Sequence, residues 1–225
     1  MTVLVAGGTG ALGAAVLREL AGSGYGVVAT YIDDRERERV EGSMGDSVSL
    51  VRADLTTAGG AEEAVGAVED PEVVVNLVGG FAMAGPVHET EPGDFDRMIE
   101  LNLMPGFMLA RAAMPRMVER GGGAFVGVSA RAALRPFAGA AGYITGKAAV
   151  LAFIQALDAE YRDQGVRCNA VLPSVIDTPA NRESQPDADY SKWVAPEEIA
   201  RVIRFLVSEE SSATSGAAVP VYGRA

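Results

Sequence analysis

Short apolar runs rich in valine recur along this chain with segments of helical spacing between them, and this alternation restricts the fold more than any other feature. The runs are Val3 to Ala6, Val27 to Tyr31, Val48 to Val51, Val73 to Val78, Ala124 to Ser129, Val166 to Leu172 and Ala218 to Tyr222. Helical periodicity fills Ala11 to Ala21, Ala61 to Val68, Phe95 to Val118, Gly142 to Tyr161 and Glu197 to Val207, with a short charged stretch near Arg35 to Val40. Strands that are apolar on both faces must be covered on both faces, and helical crossovers achieve this for a parallel sheet. The pattern predicts an α/β fold, a doubly wound parallel seven-stranded sheet flanked by helices. No linker or repeat interrupts it, and 48% hydrophobic content over residues 1–225 suffices for one domain with one core. Within the long helical segment, Met98, Leu101, Met104 and Met108 share helical spacing, which predicts core or subunit contact. Pro105 withdraws a donor from the Leu101 carbonyl and predicts a kink beside Asn102.

Charge narrows the partners. A net charge of -11, from 30 acidic and 19 basic residues, repels nucleic acid phosphates and anionic lipid heads, so neither nucleic acid nor membrane is an expected partner. No apolar stretch reaches bilayer length and no basic leader precedes the first strand, which gives the expectation of a cytoplasmic protein. Cys168 falls in an apolar run and reads as a small buried hydrophobe. His88 has no second His or Cys near it, so no metal site is expected.

Two places carry chemistry. Directly after the first strand comes Ala6-Gly7-Gly8-Thr9-Gly10-Ala11-Leu12-Gly13, and then a helix. Glycine lets the backbone approach a pyrophosphate, and the helix aims unpaired N–H groups at that charge, so this context predicts a dinucleotide site. Asp54-Leu55 and Asn76-Leu77-Val78-Gly79-Gly80 follow later strands, at the carboxyl ends where open α/β sheets bind ligands. Asp54 taken alone would more often be a helix cap. The second place is Tyr143-Ile144-Thr145-Gly146-Lys147. Residues four apart share a helix face, so this ammonium can stand beside the phenol, and a pKa lowered by roughly one to three units is expected for Tyr143. The chain has only two lysines against seventeen arginines, and one of them stands here.

Together these residues resemble the short-chain dehydrogenase/reductase family, over Val3 to Gly223. The resemblance implies a Rossmann-type NAD(P)-binding fold and a reductase. Gly7 and Gly13 match the family turn around Thr9, Gly10 and Leu12, with Ala11 in place of its middle glycine. Carried over residue by residue, Asp54 and Leu55 border the adenine, and Asn76 with Gly79 supports the central strand beside the adenosine. Asn102 belongs to the proton relay, positioning a water that reconnects Lys147 to solvent, while Tyr143 is the acid/base and Lys147 its partner and ribose ligand. The family serine thirteen residues before the tyrosine is here Ala130, and Ser129 beside it replaces that hydroxyl only if the strand end bulges. The dihydropteridine reductase branch is similar in lacking this serine. It is also similar in Ala130 to Leu134, in Val171-Leu172-Pro173 through Asp177-Thr178-Pro179-Ala180-Asn181-Arg182, and in Pro186 to Trp193. This branch implies that Pro173, Ile176 and Thr178 line the nicotinamide, with Ile176 and Thr178 holding its carboxamide.

The polar insertion around 181–195 has the character of a substrate lid, in which Trp193 could stack on a flat substrate or pack the lid against the body. For the cofactor, the deciding position at the end of the second strand is Tyr31. Asp33 and Asp34 would repel the extra phosphate of NADP, Arg35 and Arg37 could receive it, and the balance leans to NAD. The sequence thus predicts hydride transfer to a small quinonoid or pterin-like acceptor, with Tyr143 as proton donor. A 3-oxoacyl-thioester or general ketone reductase is the alternative, and Ala130 leaves open a cofactor-binding regulatory protein without turnover. Apolar surface on the helices before and after Tyr143 predicts a homodimer or homotetramer.

Overall fold

Each of the seven apolar runs forms a strand in the computed structural model, which describes residues 1–224. The strands are β1 (Thr2–Ala6), β2 (Gly26–Tyr31), β3 (Ser49–Arg52), β4 (Val73–Asn76), β5 (Gly123–Val128), β6 (Val166–Pro173) and β7 (Ala218–Val221). They pair in parallel in the order β3-β2-β1-β4-β5-β6-β7. The helices are α1 (Ala11–Gly22), α2 (Asp34–Met44), α3 (Ala58–Gly66), α4 (Pro92–Glu119), α5 (Ala141–Tyr161), α6 (Pro179–Ser184) and α7 (Pro196–Val207).

The strand period of two divides the core into two layers. Leu4, Ala6, Val74, Phe125 and Leu172 meet Ala61, Leu109, Met114 and Ile154 of α3, α4 and α5 on one face. Val3, Val5, Val75 and Val126 meet Val16, Leu17, Ile199 and Ile203 of α1 and α7 on the other. Fully buried side chains such as Phe125 and Leu17 each contribute about 1.5–3 kcal/mol. Among the described residues no helix is long and apolar enough to cross a membrane.

Element ends depart from the sequence pattern for local reasons. β4 stops at Asn76 rather than Val78, because the Asn76 side chain accepts from the Val78 N–H (3.1 Å) and turns the chain. Helices α4 and α7 begin earlier than their apolar periodicity, with Pro92 and Pro196 in the first turn, where a missing N–H costs nothing. Six-residue α6 is too short to show a period, and it is nucleated by Thr178, whose hydroxyl accepts from the Asn181 N–H at 3.2 Å. Helix α4 runs unbroken through Pro105 and Pro115, and next to the missing donor the Asn102 amide folds back onto the Met98 carbonyl at 2.9 Å.

A parallel sheet places every strand's carboxyl end on one edge. The chain reverses direction of winding between β1 and β4, beside the glycine-rich turn, and such a switch point is where open α/β sheets bind ligands.

Candidate active site

The turn between β1 and α1 is shaped for close backbone approach. A Cβ on Gly13 would lie 2.5 Å from the Gly7 carbonyl oxygen and would also collide with that of Gly8, so only glycine lets α1 pack onto the turn. Gly10 caps α1 without a side-chain acceptor, which leaves first-turn N–H groups and the positive helix end for an anion. The Gly7 N–H donates to the buried Thr30 hydroxyl at 3.0 Å and anchors the turn to β2. Ala11 is exposed at the first helical position, and Leu12 leans half-buried on the sheet. These unclaimed donors fit the pyrophosphate of a dinucleotide cofactor.

Other residues predicted for that cofactor lie along the same edge with distinct local roles. Tyr31 ends β2 as expected, with the Arg37 guanidinium 5.8 Å over its ring. Asp54 accepts from both the N–H (3.0 Å) and hydroxyl (2.6 Å) of Thr56, bonds that hold its pKa below the ordinary carboxylate value. The Leu55 side chain is buried in the core, so only its backbone can meet a ligand. Pro173 closes β6, and the Ile176 carbonyl accepts from the Asn181 amide at 2.8 Å.

At the centre, Gly79, Asn102 and Lys147 converge. A Cβ on Gly79 would stand 2.7 Å from Asn102 Oδ1 and 2.8 Å from Lys147 Nζ, so three elements distant in sequence meet at one backbone position. The Asn102 side chain clasps Gly80, accepting from its N–H (3.2 Å) and donating to its carbonyl (3.1 Å). With the bond to Met98, its polar atoms are spent on backbone partners. Lys147, 6% exposed, donates to the Val128 carbonyl at 3.0 Å, at the end of β5.

Ser129 needs a correction. Its hydroxyl donates to the Lys147 carbonyl at 2.6 Å and is buried, so it ties β5 to α5 instead of supplying a second hydroxyl beside Tyr143. Strand alternation is the reason: one step along an extended chain reverses the side chain's direction, and Ala130 takes the position that faces the other way.

Burial also reverses the expected titration of Tyr143. Loss of solvent pushes its phenol up to about 12, where a lowered value was predicted from the neighbouring ammonium. The same burial pulls Lys147 down to about 8. Sharing a helix face places the two groups on one side of α5, but desolvation outweighs attraction. Tyr143 therefore rests as a protonated phenol.

Aromatic neighbours went unread in the sequence. Phe81 presents its ring edge-on to Tyr143, with centroids 5.0 Å apart at 89°, and Phe137 lies 6.4 Å from Phe81. Phe81 is 56% and Phe137 47% exposed, forming an apolar rim joined by the Ala84 N–H to Gly139 carbonyl bond (2.9 Å). Both residues stand in irregular loops, where no periodicity marks a shared surface. A small cavity of ≈90 Å³ touches Tyr143, Met83, Thr90 and Phe95.

The segment expected as a lid folds back on itself. Its base is pinned by bonds from Asp177 N–H to the Val194 carbonyl (2.8 Å) and from Val194 N–H to the Val175 carbonyl (3.0 Å). Trp193 packs at a tilt against Tyr190, with ring centroids 4.7 Å apart and planes at 55°, and Tyr190 in turn sits under the Arg182 guanidinium, so the indole is engaged within this segment. A larger cavity, ≈560 Å³, lies at the opposite edge of the sheet by Glu72, Gly123 and Arg167. Arg167 is saturated there by the carbonyls of Leu206, Ser208 and Ser211, which marks it as structural.

The chain is similar to known proteins in sequence and in fold. Over residues 7–223 the chain matches the family described as enoyl-(acyl carrier protein) reductase. It is 32% identical to 2-(R)-hydroxypropyl-CoM dehydrogenase of Xanthobacter autotrophicus, across 80% of this chain and 79% of that protein. It is 31% identical to (3R)-3-hydroxyacyl-CoA dehydrogenase of Mus musculus, across 98% and 94%. A solved structure of a short chain dehydrogenase/reductase family protein, 31% identical, superimposes with a TM-score of 0.92 over 99% of this chain and 96% of the other.

Proposed function

This chain belongs to the short-chain dehydrogenase/reductase family of NAD(P)-dependent oxidoreductases, and we propose that its acceptor is a small, flat, conjugated compound of quinonoid or pterin-like type. The observation that carries this reading is the methyl group of Ala130 at the end of β5, with the Ser129 hydroxyl turned away onto α5. A simple carbonyl would lack a donor for its developing oxyanion there, a loss worth roughly 2.7–4 kcal/mol in comparable sites. A conjugated acceptor spreads that charge over its ring and needs the donor less. The exposed rings of Phe81 and Phe137 beside Tyr143 support a flat, apolar guest, as does the resemblance to the dihydropteridine reductase branch.

Bound NAD(P)H supplies the hydride. In this proposal the chain's own part is proton delivery: the Tyr143 hydroxyl, protonated because its pKa stands at about 12, gives its proton to the reduced acceptor. Lys147 holds positive charge at the same face of α5 and stabilises the phenolate left behind. Phe81 packs against the Tyr143 ring and limits the water that reaches it.

A second reading, reduction of a 3-oxoacyl thioester or another ketone, draws support from the hydroxyacyl-CoA and hydroxypropyl-CoM dehydrogenases to which the chain is similar. The two readings separate by following NAD(P)H oxidation with a quinonoid dihydropterin, a quinone, a 3-oxoacyl thioester and a simple ketone. Conjugated acceptors are expected to turn over fastest, and Ala130→Ser to raise ketone reduction about a hundredfold while changing conjugated acceptors little. Faster turnover of thioester or ketone by the natural chain would overturn the proposal, and cofactor binding without turnover of any acceptor would favour a regulatory role.

A further inference from the structure

Thr9 lies in the middle of a surface turn and is nevertheless only 2% exposed. Helix α2 covers it. The Thr9 hydroxyl donates to Glu36 Oε2 at 2.8 Å, and the Arg39 guanidinium donates to the Thr9 carbonyl at 2.6 Å. Glu36 and Arg39 are themselves 3.9 Å apart, so a carboxylate and its counter-ion are fastened to the turn that receives the cofactor.

Asp33, Asp34 and Arg37, also at this corner, have partners of their own, whereas the exposed Arg35 side chain makes no ion pair among the described residues. Asp33 accepts from the Arg35 N–H at 2.7 Å as the cap of α2, a helix-starting role that explains its position without a ligand. Arg37 stands between Asp34 (3.7 Å) and Glu41 (3.4 Å). Arg37 and Arg39 each already face carboxylates, which leaves Arg35 as the arginine free to meet a phosphate, but the charged group fastened to the glycine turn itself is the Glu36 carboxylate.

We propose that Glu36, rather than Asp33, reads the adenosine ribose of the cofactor and makes this chain prefer NAD(H) to NADP(H), with Arg39 holding Glu36 against Thr9. A ribose diol donates hydrogen bonds to a carboxylate, whereas an added phosphate brings like charge to the same group. The inference rests on the oxidoreductase reading, and binding measurements test it apart from catalysis.

Dissociation constants for NADH and NADPH would be measured by calorimetry on the natural chain and on Glu36→Gln, Glu36→Ala, Asp33→Asn and the double variant Glu36→Gln/Arg39→Ala. Asparagine caps a helix as well as aspartate, so Asp33→Asn tests the charge without unseating α2. The natural chain is expected to bind NADH at least about tenfold more tightly, Glu36→Gln and Glu36→Ala to abolish or reverse that ratio, and Asp33→Asn to preserve it. The double variant should lose the NADPH affinity gained by Glu36→Gln. A preference for NADPH in the natural chain, an unchanged ratio in both Glu36 variants, or a ratio shifted by Asp33→Asn alone overturns the assignment. Binding of neither dinucleotide by the natural chain would instead overturn the oxidoreductase reading on which it stands.

Discussion

Replacing Lys147 by methionine keeps a long unbranched stem in α5 and removes a buried cation. In the fold this amine titrates at about 8 against an ordinary 10.5, because burial disfavours its charged form. Between pH 8 and pH 10.5 the unfolded chain therefore holds a proton that the folded chain has released, and stability rises with pH across that window. Each pH unit is worth about 1.4 kcal/mol, so the full rise is about 3 kcal/mol, present above pH 10.5 and lost as the pH falls to 8. Tyr143 acts in the opposite sense at higher pH, since its folded value of about 12 exceeds the ordinary 10.0, but both proteins carry it and its effect cancels in the difference. Urea unfolding of the natural chain and of Lys147→Met, in steps from pH 7 to pH 10.5, should show the natural chain gaining about 3 kcal/mol on the variant. The gain should start near pH 8. A difference that stays flat, or one that falls, would refute the claim that a desolvated ammonium is stored beside the Val128 carbonyl.

Two further substitutions probe the same centre. Tyr143→Phe preserves the edge-on contact with Phe81 and removes the proton donor, so reductive turnover should fall by about 10²–10⁴ with dinucleotide affinity unchanged; retained turnover would dismiss the phenol as the acid. Gly79→Ala drives a methyl group against Asn102 Oδ1 and Lys147 Nζ, and should cost about 1–3 kcal/mol of stability together with turnover. An unaltered urea midpoint in that variant would mean the close approach at Gly79 is relieved at no cost.

Strand and helix identities were legible because burial on two faces demands runs of valine, and helical crossovers demand a period of 3.6. The glycine-rich turn was legible for a related reason: strand, turn and helix are contiguous, and the collision of a Gly13 Cβ with the turn's own carbonyls is a local matter. Asn102 and Gly79 could be named but not joined, since 22 residues separate Gly80 from the amide that clasps it. The sequence does not choose between a substrate and a packing role for Trp193, because its contact with Tyr190 depends on how α6 and the following turn fold back on each other.

What the amino-acid order by itself determined is everything carried by short-range geometry: the alternating sheet, the glycine-rich turn, and the placing of Tyr143 and Lys147 on one face of α5. Tertiary structure alone decided the electrostatics and the company those groups keep. Solvent exclusion depends on what packs from far along the chain, so it was burial that raised Tyr143 and lowered Lys147, against the expectation from their spacing. Likewise, only the approach of α2 to the glycine turn, across 27 residues of sequence, could put the Glu36 carboxylate on Thr9.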